Sequence, residues 1–231
     1  MNTETLDQPI VADVAVSAPA VVIESAAPAV AAVAEGPNPF IALGLDGALV
    51  RAVSDLGYTQ PTEVQAKVIP LAMGSGKADE ASIDLMVSSQ TGSGKTAAFL
   101  LPVLNTLIAQ KAIEAAAEQA EFERQRAQAA ASGEAAPKRA KRKNPMQSRN
   151  FKAAVPGALV LCPTRELAQQ VAQDAIELVK HCKNLRVANV VGGMPYQLQI
   201  AKLQNADLVV ATPGRLLDLQ RSLQIKLDKV Q

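Results

Sequence analysis

The apolar positions of the chain first repeat at helical spacing. Four of them recur three or four residues apart: Leu45, Leu49, Val53 and Leu56. Gly57 follows directly and is well placed to end that helix. A second helix is predicted to begin after Thr62, whose hydroxyl suits an N-cap, and to end in a Gly-rich turn. The pattern therefore predicts two consecutive helices.

The pattern then changes to short apolar runs rich in Val and Leu. Four such runs occur, each followed by a turn signal and a helical stretch: 84–89, 158–163, 186–191 and 206–212. Short strands that do not alternate and are separated by helices are typical of a parallel sheet covered on both faces. We therefore predict an α/β domain of this architecture.

An Ala/Pro/Val-rich stretch precedes these elements. Residues 1–36 are predicted to be a disordered tail, because acidic residues and prolines interrupt the apolar run at 9–34. The segment before that run is acidic, whereas a signal peptide begins with basic residues. We expect no membrane-spanning helix in the tail and no membrane partner. The ordered domain is predicted to cover residues 37–231.

A second biased stretch, residues 112–156, interrupts the domain. Its first part is rich in Ala, Glu, Gln and Arg and is predicted to extend the preceding helix. Its second part carries five basic residues within positions 138–143. This basic cluster is either a solvated linker or an arm that adds affinity for nucleic acid. The net charge of +1 gives no further argument for a polyanionic partner.

The few cysteines and the single histidine point to no metal or disulfide chemistry. Cys162 and Cys182 do not form a C-x-x-C pair, which argues against a disulfide scaffold and a zinc site. Reduced thiols are typical of a cytoplasmic protein, and we predict that location. Cys162 is expected to pack within its strand. His181 is predicted to lie in the last turn of a helix, near the negative end of its dipole.

The stretch SQTGSGKT at residues 89–96 has the chemistry of a phosphate-binding loop. It matches G-x-x-x-x-G-K-[ST] except that Ser89 replaces the first glycine, and it joins a predicted strand to a predicted helix. Lys95 would reach the β- and γ-phosphates of a nucleotide, and Thr96 would offer its hydroxyl to Mg²⁺. Eight residues are predicted to hold the phosphates of a nucleotide and its Mg²⁺, with Lys95 and Thr96 in the catalytic roles: Ser89, Gln90, Thr91, Gly92, Ser93, Gly94, Lys95 and Thr96.

Three residues upstream of this loop are candidates to bind the base. The amide of Gln65 can pair with N7 and the 6-amino group of adenine, whereas guanine presents an oxygen in place of that amino group. Phe40 and Tyr58 are candidates to pack against the ring. The alternatives are an ordinary helix glutamine at Gln65 and a core residue at Phe40.

Three later segments each follow a predicted strand. If the strands are parallel, these segments lie at one edge of the sheet. Helix N-termini, glycine backbone, hydroxyls and arginines suit contacts with phosphates, which carry no sequence information. The residues predicted to bind nucleic acid are Pro163, Thr164, Arg165, Glu166, Gly192, Gly193, Thr212, Pro213, Gly214 and Arg215.

Taken together, these motifs resemble the first half of a DEAD-box ATP-dependent RNA helicase. The resemblance covers residues 40–215 and rests on Phe40, GYTQPTEVQ, SQTGSGKT, PTRELAQQ, GG and TPGR in this order. It implies a RecA-like P-loop domain that binds ATP and Mg²⁺, grips one RNA strand by its backbone and, with a second domain, opens short duplexes. The pathway stays open between ribosome assembly, RNA decay and the cold response, so ribosomal or decay complexes are the candidate partners.

The chain departs from the family pattern at its C-terminal end. The Asp-Glu-Ala-Asp motif, the Ser-Ala-Thr motif and the second domain are not among the 231 residues. We therefore expect an incomplete sheet with an unpaired edge, and no useful ATPase or unwinding activity from these residues alone. Two alternatives remain: a non-hydrolysing nucleotide- and RNA-binding regulatory module, and a P-loop ATPase that acts on DNA.

Overall fold

The three strands of the described structure are parallel, and the last of them is central. The computed structural model describes residues 38–74, 84–132 and 152–230. Its strands are Ala158–Leu161 (β1), Val187–Val190 (β2) and Leu208–Ala211 (β3). They are arranged in the order β1-β3-β2, with Leu208 level with both Ala158 and Val187. The three downstream apolar runs are therefore confirmed as parallel strands.

Six α-helices occur among the described residues, after a short 3-10 turn at Ile41–Leu43. They are α1 (Gly47–Asp55), α2 (Glu63–Met73), α3 (Lys95–Ser132), α4 (Arg165–Leu178), α5 (Tyr196–Leu203) and α6 (Pro213–Arg221). The helix before residue 112 does extend into the biased stretch, since α3 runs to Ser132.

Short polar side chains fix where several helices begin. The Asp46 carboxylate accepts a hydrogen bond from the backbone N–H of Ala48, at the start of α1. Thr62 caps α2 as predicted, because its hydroxyl accepts from the N–H of Gln65 while the Gln65 side chain accepts from the N–H of Thr62. Such caps satisfy backbone donors that the first turn leaves without partners. The sequence therefore sets the ends of these helices locally.

Helices cover both faces of the sheet, because alternate side chains of β3 point to opposite sides. Leu208 and Val210 join one apolar cluster, which includes fully buried leucines of α1 and α3. Val209 and Ala211 join another, with Leu203, Leu216 and Leu219 from α5 and α6. All four residues of β3 are fully buried. The predicted α/β fold with a parallel sheet covered on both faces is confirmed.

One predicted strand is absent. Residues 84–90 form neither helix nor strand, and Leu85, Met86 and Val87 are 40%, 93% and 40% exposed. A strand is held by backbone hydrogen bonds to a neighbour, and in the described part of the chain no strand lies beside this segment. The prediction of a strand at 84–89 is therefore wrong for this structure. In the described structure β1 has a neighbouring strand on one side alone, as expected for an incomplete sheet.

The helix α3 is apolar enough by composition to span a membrane. An 18-residue window within it has a mean hydropathy of 1.4. However, Leu100, Leu101 and Leu104 are fully buried in the protein core. Core helices of this kind meet the same criterion, so α3 gives little support for a membrane span.

The cysteine and histidine predictions have different outcomes. Cys162 is 4% exposed within the core, as predicted, and burial raises the pKa of its thiol. The placement of His181 in a last helical turn is wrong, because α4 ends at Leu178. Nε2 of His181 instead lies 2.7 Å from Oδ2 of Asp55, at the end of α1. The predicted tail at 1–36 and the basic cluster at 138–143 lie outside the described residues.

Candidate nucleotide and RNA-binding site

The SQTGSGKT loop is a tight turn that Lys95 holds together. Gly92 and Gly94 have φ angles of +82° and +84°, a region that residues with a Cβ avoid. Nζ of Lys95 donates hydrogen bonds to the carbonyls of Ser89 and Gln90, at 2.6 and 2.5 Å. The ammonium therefore lies inside the turn, at the N-terminus of α3.

The N-terminus of α2 braces this loop from the side. The Thr62 hydroxyl donates to the carbonyl of Ser93 at 2.9 Å, and Nε2 of Gln65 donates to the carbonyl of Gly94 at 3.2 Å. A Cβ on Gly94 would lie 2.5 Å from Nε2 of Gln65, closer than real Cβ contacts allow. The two motifs are thus in direct contact, although the bonded residues lie 31 and 29 positions apart in the sequence.

The three predicted base-binding residues occupy different environments. Gln65 is 3% exposed, and its two hydrogen bonds to backbone leave one N–H and one lone pair for a ligand. Tyr58 is 40% exposed. Phe40 is fully buried among core residues, which matches the core alternative for its position. Their contact with a base stays a prediction.

The residues present fit a nucleoside triphosphate. The loop offers bare glycine backbone, one lysine and the N-terminus of a long helix, which together favour phosphate oxygens. Thr96 is half-buried in the first turn of α3. Across residues 38–74, 84–132 and 152–230, no cluster of three His, Cys, Asp or Glu side chains could hold a metal ion. The role of Thr96 as a ligand to Mg²⁺ stays a prediction.

The predicted nucleic-acid-binding segments lie at the carboxyl ends of the three strands. Residues 163–166 follow β1, Gly192 and Gly193 follow β2, and residues 212–215 follow β3. Because the strands are parallel, the three loops share one edge of the sheet. Thr164 caps α4 by accepting from the N–H of Leu167, and Pro213 is the first residue of α6.

The backbone of residues 191–194, here named the GG loop, accepts hydrogen bonds from a side chain of each of the other two segments. Nη1 of Arg165 donates to the carbonyl of Gly192, and Nη1 of Arg215 donates to the carbonyl of Met194, both at 3.3 Å. Gly193 has a φ of +85°, and a Cβ there would lie 2.6 Å from Nη1 of Arg165. Both arginines are thus held beside the same short loop. Arg165 is exposed and Arg215 half-buried.

Sequence reasoning missed two residues of this site. Thr62 was assigned only a capping role, although its hydroxyl also reaches the loop at Ser93. Gln199 received no role, although it is fully buried and donates to the carbonyl of Val191. An isolated glutamine at a core position of α5 was the one available signal for it.

Comparison with known proteins agrees with this geometry. The family model of the DEAD/DEAH box helicases matches residues 62–231. The DEAD-box ATP-dependent RNA helicase 52A of rice is 38% identical over 193 residues, which are 83% of this chain and 26% of that protein. The ATP-dependent RNA helicase DeaD of Escherichia coli K12 is 34% identical over 198 residues, 85% of this chain and 24% of that protein. The chain thus spans about a quarter of these relatives.

Solved structures show the same fold. A DEAD box protein from Methanococcus jannaschii matches with a TM-score of 0.55 and 31% identity, over 83% of this chain and 39% of that structure. Yeast Dbp5, solved with RNA and ADP BeF3, matches with a TM-score of 0.55 and 26% identity, over 84% of this chain and 37% of that one. The family model covers well over half of the chain, so the chain belongs to the DEAD/DEAH box helicase family.

Proposed function

We propose that this chain is the ATP- and RNA-binding N-terminal part of an ATP-dependent RNA helicase. The observation that carries the proposal is the contact between two motifs. Gln65 and Thr62 hold the carbonyls of Gly94 and Ser93, next to the lysine that binds phosphate in P-loops. This contact supports the proposal because it brings the residue that would recognise the base beside the residues that would bind the phosphates, as a nucleotide requires and an isolated phosphate does not.

Each residue of the loop has a distinct role in this proposal. Lys95 exchanges its two carbonyl partners for oxygens of the β- and γ-phosphates, which neutralise its charge better than carbonyls do. Thr96 offers its hydroxyl to Mg²⁺, which when bound lowers the charge repulsion among the phosphates. Gln65 selects adenine with the amide groups that the loop leaves available.

The RNA is held by its backbone at the edge that carries the GG loop. Arg165 and Arg215 supply guanidinium donors there, and Gly192 and Gly193 supply backbone without side chains. The solved complex of yeast Dbp5 with RNA and ADP BeF3 supports this choice of ligand. We expect the affinity to depend on salt and to vary little with RNA sequence.

The residues of this chain are proposed to bind ATP without turning it over. The tetrapeptide Asp-Glu-Ala-Asp does not occur among the 231 residues, and catalysis of phosphoryl transfer depends on groups that position water and metal. RNA-stimulated phosphate release by the purified chain tests this. Release at the rate of a complete helicase would contradict the proposal.

A non-hydrolysing nucleotide- and RNA-binding regulatory module is the second candidate. Binding of ATP and RNA without turnover needs only contacts of the kind described above for Gln65, Lys95 and Arg165. The intact mass of the native protein separates the two. A mass well above 24.2 kDa supports the helicase, whereas a mass at 24.2 kDa supports the module. We also propose a cytoplasmic location, which cell fractionation would test.

The first experiment on nucleotide binding is the Lys95→Ala substitution. Losing charged hydrogen bonds to phosphate should weaken ATP affinity by about ten- to a hundredfold. Lys67→Ala is the matched control, because Lys67 lies exposed on α2 in an ion pair with Glu63. Equilibrium binding of a fluorescent ATP analogue measures both. Equal affinity in the two variants would refute the assignment of Lys95.

A further inference from the structure

Three side chains hold the GG loop by its carbonyls. Gln199 bonds to the carbonyl of Val191, Arg165 to that of Gly192 and Arg215 to that of Met194. We propose that Gln199 is a positioning residue for RNA binding, which fixes the GG loop and the direction of Arg215 together. This inference rests on the proposed RNA-binding function and assigns a role to a residue outside the motifs that carry the family resemblance.

Gln199 uses both ends of its amide. Its side chain is fully buried, with Nε2 donating to the carbonyl of Val191 at 2.5 Å and Oε1 accepting from Nη1 of Arg215 at 3.4 Å. A buried amide without partners is costly, so the fold retains these bonds. The residue therefore couples the end of β2 to the first turn of α6.

The guanidinium of Arg215 is held from a second direction. Its central carbon lies 5.6 Å from the centre of the Tyr196 ring, within reach of a cation–π contact. The Tyr196 hydroxyl is itself 2.5 Å from the hydroxyl of Ser222, beyond the end of α6. The two bonds to Met194 and Gln199 use a single nitrogen, Nη1, so the other guanidinium nitrogen donors are available for phosphates.

Holding Arg215 in one orientation lowers the entropy cost of binding RNA. An arginine that is already oriented loses less side-chain freedom when it contacts a phosphate. A buried amide adds little net stability compared with an apolar side chain of similar size. The main effect of Gln199 is therefore directional, on the loop and on Arg215.

The Gln199→Met variant of the full chain tests the proposal. Methionine fills a similar volume but makes neither hydrogen bond. The probe is a fluorescein-labelled single-stranded oligouridylate, titrated at several salt concentrations. We expect RNA affinity to fall about tenfold, as for one lost charged contact, and the slope of log affinity against log salt to fall by about one. Affinity for a fluorescent ATP analogue should be unchanged.

A double-mutant comparison separates positioning from general destabilisation. If Gln199 acts through Arg215, the variant Q199M/R215A binds RNA no more weakly than R215A. Gln197→Ala is the matched control, since Gln197 is an exposed glutamine on the same helix, and it should bind as the wild type does. Additive losses in Q199M/R215A, or an unchanged salt slope in Q199M, would overturn the inference.

A further variant covers the case in which Gln199→Met does not fold. Arg215→Lys changes a half-buried residue and keeps its charge, but an ammonium cannot reproduce the planar fork of donors. It should lose nearly as much RNA affinity as R215A. If R215K binds RNA with the affinity of the wild type, this inference is overturned and the proposed function is not. Absence of RNA binding by the wild-type chain would overturn the proposed function and, with it, this inference.

Discussion

Gly94 and Gly193 each lie where a side chain from another helix crosses the backbone. Gln65 of α2 passes over the first and Arg165 of α4 over the second. Both glycines also have positive φ angles. The crossing side chain and the positive φ angle therefore each disfavour a Cβ at these two positions. Both positions lie in the candidate site and not in the apolar core.

The Gly94→Ala substitution should weaken ATP binding. The new Cβ would displace the Gln65 amide, and the positive φ angle would add about 1–2 kcal/mol of strain. We expect the free energy of unfolding to fall by that strain or more, and ATP affinity to fall about tenfold, as for a lost charged contact.

A second glycine separates these two effects. Gly44→Ala has the same kind of φ angle, +79°, but its Cβ would make only an ordinary contact, 3.6 Å from Met73. It should lose stability and keep its ATP affinity. Chemical denaturation and nucleotide titration of both variants measure this. Unchanged ATP affinity in Gly94→Ala would mean that Gln65 has no part in binding the nucleotide.

The role of a site residue can be predicted from the sequence when the residues it acts with lie close to it along the chain. The roles of Lys95 and the P-loop glycines could be proposed because a short motif specifies them. The bond from Gln65 to Gly94 could not, since a bonding partner 29 positions away along the chain leaves no local pattern. Gln199 has the same difficulty, because only the fold shows that Arg215 lies beside it.

Among the elements, strands were predicted well where a neighbour exists to pair with them. Within three of the apolar runs, four residues each form β1, β2 and β3, and all four are paired with a neighbouring strand. The run at 84–89 is also apolar at its centre, at Leu85, Met86 and Val87, but has no strand beside it in the described structure. Composition thus specifies the tendency to form a strand, whereas hydrogen bonds to a neighbour decide the outcome.

Another contact between elements joins α1 to the turn after α4, and it should be sensitive to pH. The hydrogen bond from His181, aided by Lys180, holds the pKa of the Asp55 carboxyl below its usual value. A carboxyl with a lowered pKa stabilises the fold above its unfolded pKa of about 4 and loses this effect as the pH falls further. Asp55→Asn should therefore lower the thermal midpoint at neutral pH and have little effect in acid.

Asp228→Asn provides the comparison for this experiment. Asp228 is also exposed, in a turn at residues 228–229. At every pH in the same range, the thermal midpoint of Asp228→Asn should be close to that of the wild type. Differential scanning fluorimetry from neutral to acidic pH measures all three proteins. An Asp55→Asn effect of equal size at both ends of the range would exclude the ion pair as its cause.

For the molecule as a whole, the apolar segment beside the P-loop should promote self-association. Met86 is 93% exposed, and β1 has a free edge in the described structure. A lysine opposes edge-to-edge contact between copies, so Met86→Lys should reduce association in concentrated solution. Ile113→Lys, at a 70% exposed position on α3, should have little effect. Light scattering against concentration measures both, and equal association of the wild type and Met86→Lys would refute the prediction.

The central position of β3 has a consequence for how the chain folds during synthesis. In the described structure β1 and β2 have no hydrogen bonds to each other, because each is paired there with β3 alone. Both leave the ribosome before their shared partner, so the sheet cannot nucleate until Leu208–Ala211 has been translated. Contacts of such sequence separation form slowly and leave apolar segments open to chaperones. A nascent chain that stalls before residue 208 would contain strand sequences but no sheet.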